Sequence, residues 1–322
     1  MTTKSPSDIN DITDFFERQL EEWPEVRERY DSLSAVETKE FIIDGEPFKI
    51  QYNPARAVST GASVDKKSID ARPCFLCKSN RDPCQKSLPW ESPDGTGYEI
   101  LVNPFPVFRP HFTISLKEHT PQNIDGRLLH LLQLTRIFKG FTIFFNEAGY
   151  GASAPDHHHF QAVPSSQLPV WTWADNTTNQ PFICLESASA TVVDEAPVKL
   201  IFIQGGSDDE ITTLYNKLIK ENHYRHVNLV ACYHFAITRL LIIPRNRHRP
   251  ECYATGNDAG LMVSPASIDL SGVFILPRRK DFDNITPESI LSVIKDVTQH
   301  ETAPDTGGFD YRTRLTSGTY RR

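Results

Sequence analysis

The stretch Asn146 to Gln161, NEAGYGASAPDHHHFQ, holds the residues best suited to chemistry. Side chains of an extended segment alternate faces, so His157, His159 and Gln161 project together while His158 and Phe160 point the other way. A neutral imidazole whose second nitrogen is fixed by a hydrogen bond is a nucleophile toward phosphorus. His159, in the middle of the polar face, is the candidate. Gln161 is placed to donate to a phosphate oxygen, and Gly149, Gly151 and Ser153 lie in a small-residue loop whose backbone N–H groups can approach a phosphate closely. The competing reading is a histidine tract that scavenges metal at the surface, or a hydrogen-bonded core histidine. Upstream, Cys74 and Cys77 are spaced as metal ligands would be, against the alternative of buried thiols or a redox dithiol.

Such residues need a scaffold, and 322 residues suffice for about two domains or one internally duplicated domain. Residues 7–32 carry Ile9, Ile12, Phe15, Phe16, Leu20 and Trp23 at helical spacing, which Pro24 must end or kink, giving an N-terminal helical arm over 1–38. The run KEFIIDGEPFKIQY predicts a hairpin about Asp44-Gly45. Residues 53–98 read as loops with a metal knuckle. Strands are expected at YEILVNP, HFTISL, FTIFFN and HHHFQAVP, with a helix over 124–139 whose apolar face includes His130 as a satisfied core histidine. After a less regular stretch come the strand VKLIFIQG, a helix from Asp208 to about Glu221, and the strands HVNLVACYH, TRLLIIP and SGVFILP, a second strand-and-helix layer. The expected organisation is a first half over 39–170, a second over 171–300 and a mobile tail over 301–322, in an α+β fold.

Composition narrows the function. Hydrophobic residues make up 39% and charged residues 23%, in the range of soluble proteins. A net charge of −7 argues against a general grip on nucleic acid, so an anionic ligand requires a local site. The N-terminus has acids where an export signal needs a basic flank. The most apolar stretch, Val227 to Pro244, is interrupted by Asn228, His234, Thr238 and Arg239, so no membrane span is expected. These features and the few cysteines predict a cytoplasmic protein with reduced thiols.

The run His157-His158-His159-Phe160-Gln161, with Asn146 upstream, resembles the histidine triad superfamily. Within it, the run is similar to the branch of galactose-1-phosphate uridylyltransferase and the GDP-hexose phosphorylases, whose signature is His-x-His-x-Gln after an Asn and a small-residue loop. RPHFTISLKEH resembles the superfamily's Gly-His-x-Leu-hydrophobic-Pro-Lys-x-His segment, with His111 at its first His and His119 at its last; Pro110 and Leu116 depart from it. The resemblance implies a structural zinc held by Cys74, Cys77, His119 and His157. TRLLIIPRNRHRPECY echoes the strand, Pro, basic residue, His theme of HFTISLKEH, which fits a duplicated histidine-triad-like fold with antiparallel sheets flanked by helices. Arg245, Arg247, His248 and Arg249 cluster at a strand end, and Arg245 and Arg247 are expected to join Asn146, Gly149, Gly151 and Ser153 in binding substrate. MVSPASIDLSGVFILPRRKDF also resembles a bacterial family of this branch without assigned activity.

What the resemblance implies is a nucleotidyltransferase or phosphorylase acting on a nucleoside diphosphate sugar by ping-pong through a nucleotidyl-His159, with phosphate or a sugar phosphate as acceptor. The close alternative is a diadenosine tetraphosphate phosphorylase-type enzyme. A nucleotide-binding protein without turnover is the alternative of a different class. A homodimer is expected by analogy alone.

Overall fold

Pro24 divides the N-terminal arm. Helix α1 (Ile9–Glu22) ends before it, and α2 (Pro24–Asp31) begins on it, where a missing N–H costs nothing. The computed structural model describes residues 6, 8–61, 65–221, 224–255 and 260–298, so the expected tail over 301–322 lies outside the described residues. Ile12, Phe15, Phe16 and Leu20 form the buried stripe of α1, and Phe16 meets Phe112 edge-on at 5.7 Å. The arm thereby roofs the first sheet half. Next comes the hairpin of β1 (Glu37–Ile43) and β2 (Glu46–Tyr52). Its turn residues Asp44 and Gly45 have φ of +48° and +86°, matching the twist of the paired strands. Two short helices follow, α3 (Ala57–Thr60) and α4 (Lys66–Asp70).

The next elements are β3 (Leu88–Glu91), β4 (Gly97–Val102), β5 (Phe112–Leu116), α5 (Leu128–Ile137), β6 (Phe141–Phe145), β7 (His159–Pro164) and α6 (Val170–Asn176). They are followed by β8 (Ile183–Cys184), β9 (Ala188–Val193), β10 (Leu200–Gly205), α7 (Asp208–Glu221), β11 (Val227–His234) and β12 (Ile237–Pro244). All ten strands join one antiparallel sheet in the order β3-β4-β5-β7-β6-β11-β12-β10-β9-β8. Read inward from either edge, the order is first, second, third, fifth, fourth, and in both halves a helix connects third to fourth. The fold is therefore α+β and duplicated, the halves meeting where β6 pairs β11.

Topology equates β5 with β10 and β7 with β12. The sequence echo that suggested duplication instead matched β5 to β12, so it does not align equivalent strands. A second difference concerns SGVFILP. This strand, β13 (Val273–Leu276), leaves the main sheet and pairs parallel to β2, making a separate sheet of β1, β2 and β13. Helices α8 (Arg279–Asn284) and α9 (Pro287–Val297) close the described chain.

Alternation along the strands feeds two cores. Ile143, Phe160, Leu229 and Leu240 face the helices α1, α5 and α7, while Phe144, Val163, Val230 and Leu241 face the small sheet, α6 and α9. One asymmetry between the halves decides where chemistry can reside. In the first half, residues 146–158 link the fourth strand to the fifth; in the second, Phe235 and Ala236 make a tight turn at positive φ. The connection from β11 to β12, the corresponding place in the second half, carries no counterpart of the histidine-bearing loop. Among the described residues, no helix is long and apolar enough to cross a membrane.

Candidate active site

His159 opens β7 and is buried, and its Nδ1 lies 2.9 Å from the His157 carbonyl. A carbonyl only accepts, so Nδ1 carries the proton and Nε2 keeps its lone pair. Burial lowers the ring's pKa to about 4, which keeps it neutral at ordinary pH. Nε2 faces a cavity of about 840 Å³ that His159, Gln161, Asn146, Gly151 and Ser153 all line. His158 points the opposite way, into the aromatic core, with Phe160 edge-on at 4.7 Å. His158 and His159 thus point to opposite sides; His157, which precedes β7, turns to the Cys74 and Cys77 thiols and does not line the cavity.

The backbone at His159 is held by a side chain that sequence reasoning did not single out. Buried Gln122 accepts from the His159 N–H at 2.8 Å and donates to the His159 carbonyl at 3.0 Å and the Asn146 carbonyl at 2.9 Å. It occupies the place of a missing strand rung where β6 and β7 separate. Asn146 is tied through Oδ1 to the Ser267 N–H, the Ser267 hydroxyl and Asn228, leaving its Nδ2 for the cavity. Gly151, at φ +119°, lies so close to the second half that a Cβ would stand 2.8 Å from Ala266 Cβ. Gly149 shares the loop with positive φ but does not line the cavity.

The arginines are distributed differently from expectation. Arg245 does not line the cavity: it is fully buried, and its guanidinium donates to the carbonyls of Tyr150, Val297, Arg247 and Pro265 at 2.7–3.2 Å. Burial lowers its pKa to about 10, so it stays charged. It knots the 146–153 loop to the second half, with four of its five N–H donors spent on backbone carbonyls. Arg247 is also outside the cavity and pairs with Glu251 at 2.9 Å. The cavity instead takes His248 and Arg249 from that cluster, with Arg29 from the N-terminal arm and Arg56, Arg72 and Arg81 from the first half. Arg56 donates one Nη1 bond to the Phe105 carbonyl, while its Nε is buried without a hydrogen-bond partner among the described residues. Five arginines against Glu25, Asp82 and Asp269 leave the cavity lining with an excess of positive charge, the balance that an anion would need there. Nothing in the NPARA context marked Arg56, because single arginines carry no periodic signal.

Replacing Arg245 by Met removes charge-assisted bonds to four backbone carbonyls, and the expected cost is about 3–5 kcal/mol of folding stability. Urea denaturation of the two proteins measures it.

Cys74, Cys77, His119 and His157 converge, with their ligand atoms within 4.8 Å of one another. Cys74 Sγ is 3.3 Å from His157 Nδ1, and Cys77 Sγ is 3.2 Å from His119 Nδ1 and 3.5 Å from His157 Nδ1. Tetrahedral zinc with Zn–S of about 2.3 Å and Zn–N of about 2.0–2.1 Å sets such donors about 3.5 Å apart. His157 Nε2 lies 2.8 Å from the Leu116 carbonyl, so Nε2 holds the proton and the Nδ1 lone pair points at the thiols, the orientation metal ligation requires. The cluster can hold a metal ion. His130, outside both sites, is satisfied by Tyr98 Oη at 2.8 Å and Asp94 at 2.9 Å, as expected of a core histidine.

Comparisons with known proteins agree with this architecture. Residues 15–164 match the model of a domain of unknown function, DUF4922. No curated protein matches the chain. Among solved structures the chain is similar to yeast Ap4A phosphorylase Apa2, with a TM-score of 0.57 and 14% identity, covering 89% of this chain and 98% of that one. The same enzyme in complex with AMP gives a TM-score of 0.57 and 14% identity over 88% and 98% of the two chains. The likeness establishes a shared histidine-triad-like fold.

Proposed function

We propose that this protein is a nucleotidyltransferase or phosphorylase working through a covalent nucleotidyl-His159. The observation that carries the proposal is the His159 ring, neutral, fixed through Nδ1 to the His157 carbonyl, and open at Nε2 toward an arginine-lined cavity. In the first step Nε2 attacks the α-phosphorus of a nucleoside phosphoanhydride. A P–N bond forms, the anhydride P–O bond breaks, and its electron pair leaves on the departing phosphate. The proton on Nδ1 stays, and the resulting positive ring is stabilised by the His157 carbonyl. In the second step an oxygen of phosphate or a sugar phosphate attacks the same phosphorus, and the P–N electron pair returns to Nε2.

Gln161, the Asn146 amide and the backbone from Gly151 to Ser153 hold the non-bridging oxygens, and Arg56 and Arg249 add charge to the anhydride; Gly149, expected as a contact, takes no part in this reading. Cys74, Cys77, His119 and His157 hold a structural zinc, which supplies folding energy and fixes His157. Arg245 and Arg247, expected as substrate contacts, take no part in binding in this reading.

The substrate we favour from the sequence motifs is a nucleoside diphosphate hexose. The dinucleoside polyphosphate reading is supported by the fold match, which spans nearly the whole of an Ap4A phosphorylase. Incubating the protein with a panel of both substrate kinds, with and without inorganic phosphate, tests the proposal. A phosphate-dependent release of nucleoside diphosphate from one kind supports it; absence of cleavage across the panel contradicts it.

A further inference from the structure

A glutamine amide has two ends of opposite polarity, and a phosphate contact tolerates one of them: the NH₂ attracts phosphate oxygens, whereas the carbonyl oxygen repels them. The residues around Gln161 determine which end it offers. His111 is buried immediately before β5, and the backbone N–H of Val107 donates to its Nδ1 at 3.3 Å. The Nδ1 lone pair is therefore in use, and the single proton of the neutral ring sits on Nε2. Burial depresses the His111 pKa to about 3, so the ring is not protonated at both nitrogens at ordinary pH. Nε2 lies 3.0 Å from Gln161 Oε1. The reversed amide would bring the Gln161 NH₂ against an N–H, with two donors facing each other.

We propose that His111 is a positioning residue that sets the polarity of the Gln161 amide, holding Oε1 away from the cavity and turning both Nε2 protons into it. The proposal rests on the reading above only in taking Gln161 as a phosphate contact. His111 itself need not touch substrate. Asn103, bonded to Thr113 at 3.0 Å and to the Phe105 N–H at 2.8 Å, closes the same network behind the pair.

The test combines spectroscopy with a mutant cycle on the full chain. Nitrogen-15 NMR of the wild-type imidazoles is expected to show His111 as the neutral Nε2–H tautomer near neutral pH, with that resonance shifted in Q161A. An Nδ1–H tautomer overturns the proposal whether or not the protein proves to be an enzyme. The rate of nucleotidyl-protein formation is then compared in H111F and H111Q, each in the wild-type and Q161A backgrounds. H111F is expected to slow the step about 10²-fold, as loss of an aligned transition-state donor does, with nucleotide affinity changed far less. H111Q keeps a donor and recovers most of the rate. With Q161A in place, H111F adds less than about a twofold loss, because the pair acts as one unit. Equal losses in both backgrounds overturn the proposal. If H111F does not fold, H111Q and the Q161A spectrum decide the question. Absence of a nucleotidyl adduct in the wild type counts against the proposed function, while the tautomer still decides the geometry.

Discussion

His159→Gly removes the nucleophile and is expected to cut turnover by about 10⁴-fold or more, the scale of loss when a covalent catalyst's attacking group is deleted. The cavity, Gln161 and the arginines survive the change, so nucleotide affinity is expected to stay within an order of magnitude, and steady-state kinetics with equilibrium binding separate the two effects. The adjacent residue supplies the control. His158 is buried on the opposite face among Phe160, Tyr98 and Phe145, and neither ring nitrogen makes a well-formed hydrogen bond among the described residues. Replacing it by Phe exchanges poorly bonded polar atoms for apolar ones of similar shape. The expected change is within about 1.5 kcal/mol of stability, with the rate of nucleotidyl transfer retained. Two neighbouring histidines thus have opposite expected outcomes, and only the strand's alternation distinguishes them.

The second large effect concerns the metal cluster. Structural zinc in small domains contributes on the order of 10 kcal/mol of apparent binding free energy, part of which is folding energy. Cys74→Ala is expected to abolish stoichiometric zinc, read by elemental analysis, and to lower stability by several kcal/mol. That is a fall of about 4–7 °C in Tm for a chain of this size. The consequence reaches the nucleophile through one residue. His157 offers Nδ1 to the thiols and its backbone carbonyl to His159 Nδ1. Loosening His157 therefore loosens the acceptor that fixes the His159 tautomer. Chelation at a temperature where the chain remains folded is expected to slow nucleotidyl transfer more than it weakens nucleotide binding. Unchanged Tm and unchanged rate after complete zinc removal would show that the cluster has no such role.

Much of the site was legible because it is local. The alternation over His158–Gln161, the small-residue loop before it and the Cys74–Cys77 spacing are short-range patterns, and the structure brings His119 to the same point as the other three metal-binding candidates. Pro24 and Asp44-Gly45 punctuate the chain where expected for equally local reasons. What sequence did not reveal depends on partners far along the chain. Gln122 is 37 residues from His159 and looks like any loop glutamine until the sheet forms. Arg245 read as a phosphate ligand because a basic strand end looks the same whether its donors meet phosphate or backbone carbonyls; only the packing of the 146–153 loop, Pro265 and α9 around it decides.

The same holds at the level of the fold. Strand β8 has two residues and β9, ASATVV, is small and weakly apolar, so both escaped notice, and with them the full complement of five strands in the second half. Strand β13 was recognised as a strand, but its continuous apolar run does not say which sheet it joins. It pairs with a hairpin more than 200 residues away. Duplication was inferred from an echo between strands that are not equivalent, and it is the strand order that establishes it.

The most direct measurement is the mass of the protein after brief incubation with nucleoside diphosphate hexose or diadenosine tetraphosphate in the absence of acceptor, with the modified residue located by tandem mass spectrometry. A covalent route through His159 predicts a gain of one nucleotidyl group, localised to His159 and discharged when inorganic phosphate or a sugar phosphate is added. Product formation with no such adduct, or an adduct on another residue that persists in His159→Gly, would contradict it.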